Sequence, residues 1–276
     1  PAPRHLFKSD LLFAFKPIEN LNLEAGLRVA FENDTLVKKD AHVFPVVQAV
    51  YQIAPKVTAR AALSGDVEKN SLHTLSAENL WINSNLPLAH NLNTLDVEGS
   101  VRAGFGGGFS ATSGFDFSNY ANLYFYVNAL NDKSRFDLNY DAARRTDLYT
   151  SLAFQRGKSG FDLRADYFLW TVTDLAAAFH RPKLKLEANG TFTLFDRLLF
   201  RPYMVLLSGI QAPSAIANEV VTLPSATDLG FKMDYNFSER GSVMIRLTNL
   251  LSNEYAIYQN YPVRGFQALG GITWKF

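Results

Sequence analysis

Apolar and polar residues alternate with a period of two through most of this chain, and that feature constrains its fold more than any other. In Phe161 to Trp170, FDLRADYFLW, Phe161, Leu163, Ala165, Tyr167 and Leu169 share one parity while Asp162, Arg164 and Asp166 hold the other. The same pattern runs through Leu21 to Glu32, Leu95 to Ala103, Lys183 to Phe195 and Asp228 to Phe237. A strand turns successive side chains to opposite faces, so each segment reads as a strand with one apolar face; a helical repeat fits none of them. Thirteen strands are expected, near 8–16, 21–32, 43–53, 57–67, 94–104, 107–119, 145–155, 161–170, 183–195, 198–208, 227–237, 242–250 and 265–276. A further short hairpin is expected at about 123–128 and 135–140.

Short and long connections alternate between these strands. The short ones are Pro17–Asn20, Ala54–Lys56, Phe105–Gly106, Gly157–Gly160, Asp196–Arg197 and Ser238–Gly241; the long ones are near 33–42, 68–93, 120–144, 171–182, 209–226 and 251–264. Gly, Pro, Asn and Asp punctuate both kinds. A soluble sandwich also alternates, but its strands are usually about five or six residues long. Here they run roughly ten to twelve, the length a tilted strand needs to cross a bilayer. Turns short at one end and long at the other are the asymmetry of outer-membrane barrels. Charged residues make up only 19% while aromatics reach 13%, led by 22 Phe and 12 Tyr, a bias toward strands. Phe31, Phe237 and Trp274 near strand ends suit an interfacial aromatic girdle. No apolar run approaches the ~18 residues of a membrane-spanning helix. The expected class is all-β, a transmembrane antiparallel up-and-down β-barrel with about 13–14 strands present, complete or part of a larger barrel.

The final segment, GFQALGGITWKF, places Phe266, Ala268, Gly270, Ile272, Trp274 and Phe276 on one face. An edge strand exposing these groups to water would invite aggregation unless it closed a barrel or sat in lipid. If this strand runs toward the periplasm, every short turn falls on that side and every long loop falls outside. Thirteen strands then leave the first residues outside, whereas such barrels have an even strand number. Either one strand is uncounted, or residues 1–276 are an outer-membrane barrel domain forming the C-terminal portion of a longer chain. The start PAPRHLFKSD lacks a signal-peptide pattern, which favours the second expectation.

The segment TNLLSNEYAIYQNYPVRGFQALGGITWKF (Thr248–Phe276) resembles the ending of TonB-dependent-receptor-like outer-membrane proteins, and HRPKLKLEANGTFTLFDRLLF (His180–Phe200) and SRFDLNYD (Ser134–Asp141) are similar to members of that group. The resemblance implies the cell outer membrane of a Gram-negative bacterium and transport of solutes across it. The alternative is a non-transporting scaffold subunit that docks partners through its long loops. The family's plug domain and energy-coupling box have no counterpart in these residues. The resemblance further implies contact with outer-membrane lipid and lipopolysaccharide, with the barrel-assembly machinery during biogenesis, and with other outer-membrane subunits or a surface lipoprotein. Ile272, Trp274 and Phe276 resemble the C-terminal assembly signal of such proteins.

Catalytic chemistry finds little support. There is no Cys, which excludes thiol catalysis and zinc fingers. His5, His42, His73, His90 and His180 stand in loops or at strand ends, without a metal-ligand spacing, and read as solvated. Gly104–Gly108 (GFGGG) lacks the Lys-Ser/Thr and helix of a phosphate loop and reads as a turn. No enzyme activity and no cofactor are expected. A net charge of +1 also argues against nucleic-acid binding.

The polar parity carries more information. Glu24, Asp96, Glu98, Asp162, Asp166, Glu187, Asp228 and Asp234 share it with Arg28, Arg60, Arg102, Arg164, Lys183, Lys185, Lys232 and Arg246, and these are expected to line a lumen. On a lipid face each would cost a few kcal/mol near the midplane. Acids and bases balance, so weak charge selectivity is expected. The loop Asn70–Asn91 is expected to fold onto the mouth, meet a partner or act as filler. Tyr255, Tyr258 and Tyr261 are expected to stack on a glycan or sit at lipid headgroups.

Overall fold

Thirteen of the strands form one antiparallel sheet in which each strand pairs with its sequence neighbour in the sheet. The computed structural model describes residues 4–33, 40–214 and 219–276; parts of the expected 33–42 and 209–226 connections lie outside them. In chain order the elements are β1 (Leu6–Ile18), β2 (Leu21–Glu32), β3 (Ala41–Ala54), β4 (Val57–Glu68), α1 (Leu72–Glu78), β5 (Asn91–Gly106), β6 (Phe109–Asn128), β7 (Phe136–Arg156), β8 (Ser159–Val172), β9 (Leu184–Leu194), β10 (Leu198–Ser208), β11 (Gln211–Pro213), β12 (Val220–Thr222), β13 (Ala226–Asn236), β14 (Gly241–Thr248), β15 (Ala256–Tyr258), β16 (Tyr261–Pro262) and β17 (Gln267–Trp274). β11–β12 and β15–β16 are small separate hairpins inside long loops. The sheet edges are β1 and β17.

Every strand expected from alternation is present, and the main corrections fall in the loops. The short hairpin expected at about 123–128 and 135–140 is present, as the far end of β6 and β7 and not as a separate element in a 120–144 loop, and the two strands reach 20 and 21 residues. A register shift between Tyr120 and Leu123 inserts two residues opposite one on β7. That bulge switches the parity of the alternation, which is why the segment read as a break. The 68–93 connection holds α1, capped by Ser71, whose side chain accepts from the Thr74 backbone N–H. Gly106, Gly107 and Gly108 take φ of +84°, +60° and +93°, the left-handed geometry of a tight turn that glycine adopts without a steric penalty.

The sheet is curved, with its charged face concave. Lys8 on β1 reaches Asp66 on β4 at 2.7 Å, and Arg28 on β2 reaches the same carboxylate at 3.7 Å. On a flat sheet β1 and β4 would stand three spacings apart, about 14 Å. Tyr120 on β6 likewise reaches Glu68 on β4 at 3.3 Å. The other face is convex and apolar, with Phe13 64% and Leu11 63% exposed on β1 and Ile272 78% exposed on β17. The deeply buried apolar side chains, among them Phe125, Tyr126, Phe136 and Leu75, collect at the long-loop end. There the extended half of β6–β7 is covered on both faces by loops.

Candidate functional site: a charged concave wall under an aromatic cap

Cross-strand register puts the charged residues on one side. Arg28 lies opposite Asp10, Arg60 opposite Ser100, Arg102 opposite Thr112, Arg164 opposite both Ser151 and Glu187, and Lys232 opposite Arg201 and Arg246. Followed from strand to strand, these pairs place all sixteen expected residues on the concave face. The structure brings several of them into ion pairs: Arg60–Glu98 at 3.6 Å, Arg164–Asp166 at 2.6 Å, Lys185–Glu187 at 3.0 Å and Lys232–Asp234 at 3.5 Å. Asp228 accepts from Tyr203 and from the Asn249 backbone N–H, Asp162 accepts from Asn189, and Asp96 accepts from Ser118. Glu24, Arg102, Lys183 and Arg246 make no side-chain hydrogen bond or ion pair among the described residues.

Partners that the sequence reading omitted complete the wall. Arg28 chelates Asp10 through Nε and Nη2 at 2.9 and 2.8 Å, the bidentate geometry that makes guanidinium–carboxylate pairs strong. Arg145 joins Asp116 at 2.6 Å beside the buried Ser118 hydroxyl, and Arg201 pairs with Asp234. Tyr149 lies under the Arg164 guanidinium, 4.3 Å from the ring centre. Parity alone would have found these residues. Around Asp116 and Arg145 the same face carries Ser, Thr, Gly and Tyr, so the alternation in charge is diluted there.

Above the wall, three loops meet on the β6–β7 hairpin. One face of the hairpin, Tyr124, Tyr126, Phe136 and Leu138, packs with Leu75 of α1, Ile82 and Trp81, and with Tyr258 and Tyr261 of β15–β16. The other face, Leu123 and Phe125, packs with Trp170, Leu175 and Ala178. Trp81 stacks on Tyr261 with centroids 3.9 Å apart. Glu78 accepts from Tyr124 and Tyr126 and pairs with Arg181 at 3.2 Å. Burial pushes the Tyr124 hydroxyl up to about 12 and also raises Tyr126 and Tyr258, so all three stay protonated donors. Asp141 anchors the next loop by accepting from the backbone N–H groups of Thr173, Asp174 and Leu175.

Two expectations are corrected by this cap. Tyr255 is buried, and Tyr258 and Tyr261 are spent on internal packing, so these rings are not laid out for a glycan or for headgroups. His42, His90 and His180 are buried rather than solvated. His180 Nδ1 meets the Tyr126 carbonyl at 2.9 Å and its Nε2 meets the Gln259 N–H at 3.4 Å. The loop Asn70–Asn91 folds onto the hairpin. Ile272 and Trp274 stand on the convex face, in register with Val243 and Gly241, with Phe276 exposed after them. Among the described residues no group of three or more His, Asp or Glu is placed to hold a metal ion.

No family model matches the chain, and no curated protein sequence matches it. Solved structures do. The ferripyoverdine receptor of the outer membrane of Pseudomonas aeruginosa aligns over 99% of this chain and 39% of its own, with TM-score 0.73 at 11% identity. The FrpB iron transporter from Neisseria meningitidis gives 0.68 at 10% identity over 99% of this chain and 44% of its own. The copper transporter OprC gives 0.67 at 13% identity over 99% and 48%. This chain thus spans less than half the length of each. Its fold is that of the barrel portion of TonB-dependent receptors, an outer-membrane architecture of Gram-negative bacteria.

Proposed function

We propose that this chain is wall-forming barrel of a receptor-like outer-membrane transporter, admitting solute through a polar interior lined by the sixteen concave-face charges. One observation carries the reading: the usual globular arrangement is inverted. Ionic groups confront one another across the concavity, while Phe, Leu, Ile and Trp cover the convex surface. Apolar area held in water is unfavourable by about 25 cal/mol per Å², whereas hydrocarbon accepts it and penalises charge. The balanced wall supports passage with little preference between anions and cations. No catalytic role is assigned.

The edges bear on closure. Thirteen alternating strands leave β1 and β17 running in the same direction, so pairing them with each other would make a parallel seam. Unpaired edges cannot face lipid, where no water satisfies their backbone groups. An odd number of further strands keeps every pair antiparallel, which supports these thirteen strands being part of a larger wall. Ile272, Trp274 and Phe276 then serve as the signal for the barrel-assembly machinery, and lipopolysaccharide and lipid meet the convex face.

A second reading, a scaffold that docks other subunits or a surface lipoprotein, draws on Leu130 and Leu80, 89% and 75% exposed on the outer loops. Planar-bilayer recording separates the two. Steady current with weak ion preference supports transport, and a silent barrel that co-purifies with a stoichiometric partner supports the scaffold. Recovery of the protein as a water-soluble monomer without detergent would overturn both.

A further inference from the structure

The concave wall between β4 and β8 carries a feature that general passage does not require. Register aligns Arg102 with Thr112, Thr112 with Ser151, and Ser151 with Arg164. Two guanidiniums therefore flank two hydroxyls in a single row across four strands. One step along the strands, Arg60 lies opposite Ser100, and Ser100 opposite Gly114. Arg60, Ser100, Arg102, Thr112, Ser151 and Arg164 line a cavity of about 470 Å³ in which Glu98 is the sole acid among the lining residues.

Part of this cavity is held rigidly by protein partners and part is left open to solvent. Arg164 is fixed by Asp166 at 2.6 Å and by the Tyr149 ring beneath it at 4.3 Å. That ring lies over Gly114, where a Cβ would come within 2.8 Å of it, so glycine is needed for the ring to lie there. By contrast, Arg102 and the hydroxyls of Ser100, Thr112 and Ser151 have no side-chain hydrogen-bond partner among the described residues. A guanidinium only donates, and its planar fork matches carboxylate and phosphate oxygens. Arg102 and Arg164 stand three strand spacings apart, about 14 Å before curvature brings them closer. A single small ion bridges that gap poorly, and a solute with several anionic groups spans it.

We propose that this cavity is a binding site for small multivalent oxyanions, solutes bearing two or more carboxylate or phosphate groups. The inference rests on the reading of the concave face as a wet interior. The test is calorimetric titration of the detergent-purified whole protein, with the strands that close its wall, against citrate and pyrophosphate, using chloride as the monovalent reference. Saturable binding of either oxyanion is expected, at least tenfold tighter than chloride. Citrate alone would mark a carboxylate solute and pyrophosphate alone a phosphate solute. Arg102→Gln is expected to weaken binding tenfold or more, and Glu98→Gln to strengthen it severalfold, with circular dichroism and heat-modifiable gel mobility unchanged. A folded barrel that shows no saturable binding, or an Arg102→Gln variant that binds as well as the parent, overturns the site alone. A whole protein, with the strands that close its wall, that forms no detergent-stable barrel overturns the site together with the reading beneath it.

Discussion

His180 shows how a residue legible as a type becomes informative only by its surroundings. Its backbone is left-handed, with φ of 59°, and its ring sits between Phe136 and Tyr258 at 5.3 and 5.5 Å. The two contacts assign the tautomer: Nδ1–H donates to the Tyr126 carbonyl and bare Nε2 accepts from the Gln259 N–H. Burial, the largest cause, pushes its pKa down to about 4. Above pH ~6.5 the ring is neutral whether the cap is docked or released, and the full stability of docking is present. Below that pH the released ring takes a proton that the docked ring refuses, so stability is lost as pH falls from about 6.5 through 4. The loss is on the order of 3 kcal/mol, taking ~1.4 kcal/mol per pH unit. The protection factors of Gln259 and β15–β16, the exchange rates referred to the intrinsic rate at each pH, should therefore fall between pH 6.5 and 4; protection factors that stay constant would show that His180 does not hold the cap. Single-sequence reasoning placed this histidine in a loop correctly and missed its burial, because its neighbours come from 54 and 79 residues away.

At the scale of elements, alternation found the strands wherever one face was uniformly apolar, and it broke β6 and β7 into a long strand and a separate short hairpin where the bulge after Tyr120 shifts the parity. β6 beyond Tyr120 is covered on both faces, so both its parities carry large rings or Leu and the period of two fades there, whereas Phe136, Leu138 and Tyr140 of β7 keep it. The same covering creates the cap. Trp81 reaches Tyr261 across 180 positions of chain, and Tyr258 donates to the Glu78 carbonyl at 3.1 Å. These contacts join the loop after β4 to the loop after β14. Trp81→Ala should weaken that junction by about 1–3 kcal/mol through lost ring packing, with β1–β10 and their pairing intact. Limited proteolysis checks it: faster cleavage within 69–90 and 251–264, with the sheet protected, is the expected pattern. Equal cleavage in both proteins would mean the cap is held elsewhere. Of the wall itself, the sixteen charges were read from parity, whereas Asp116, Arg145 and Asp147 share that parity and were passed over. Their strands interleave them with Ser, Gly and Tyr, leaving no run of charges to mark the face.

For the whole molecule, the two faces make opposite demands on substitution. Leu148 stands 47% exposed on the convex face of β7, and Leu148→Arg is expected to cost about 2–4 kcal/mol in lipid near the midplane. Asn189 lies on the concave face opposite Asp162 and Tyr203, and Asn189→Lys should change stability by less than ~1 kcal/mol because the added charge meets water and carboxylates. Denaturant titration in lipid vesicles measures both; the reverse order of effects would invert the assignment of lumen and lipid.

What the residues determined unaided was local: strand identity, the parity of each face, and the short turns that keep all-antiparallel order, since each follows from neighbours two positions apart. Curvature was decided only in three dimensions. The pairing of Lys8 with Asp66 across three strands, the folding of distant loops onto β6–β7, and the opening of a cavity between Arg102 and Arg164 all depend on how far the sheet bends. Bending is a sum of small twists over many strands, which no window of sequence contains.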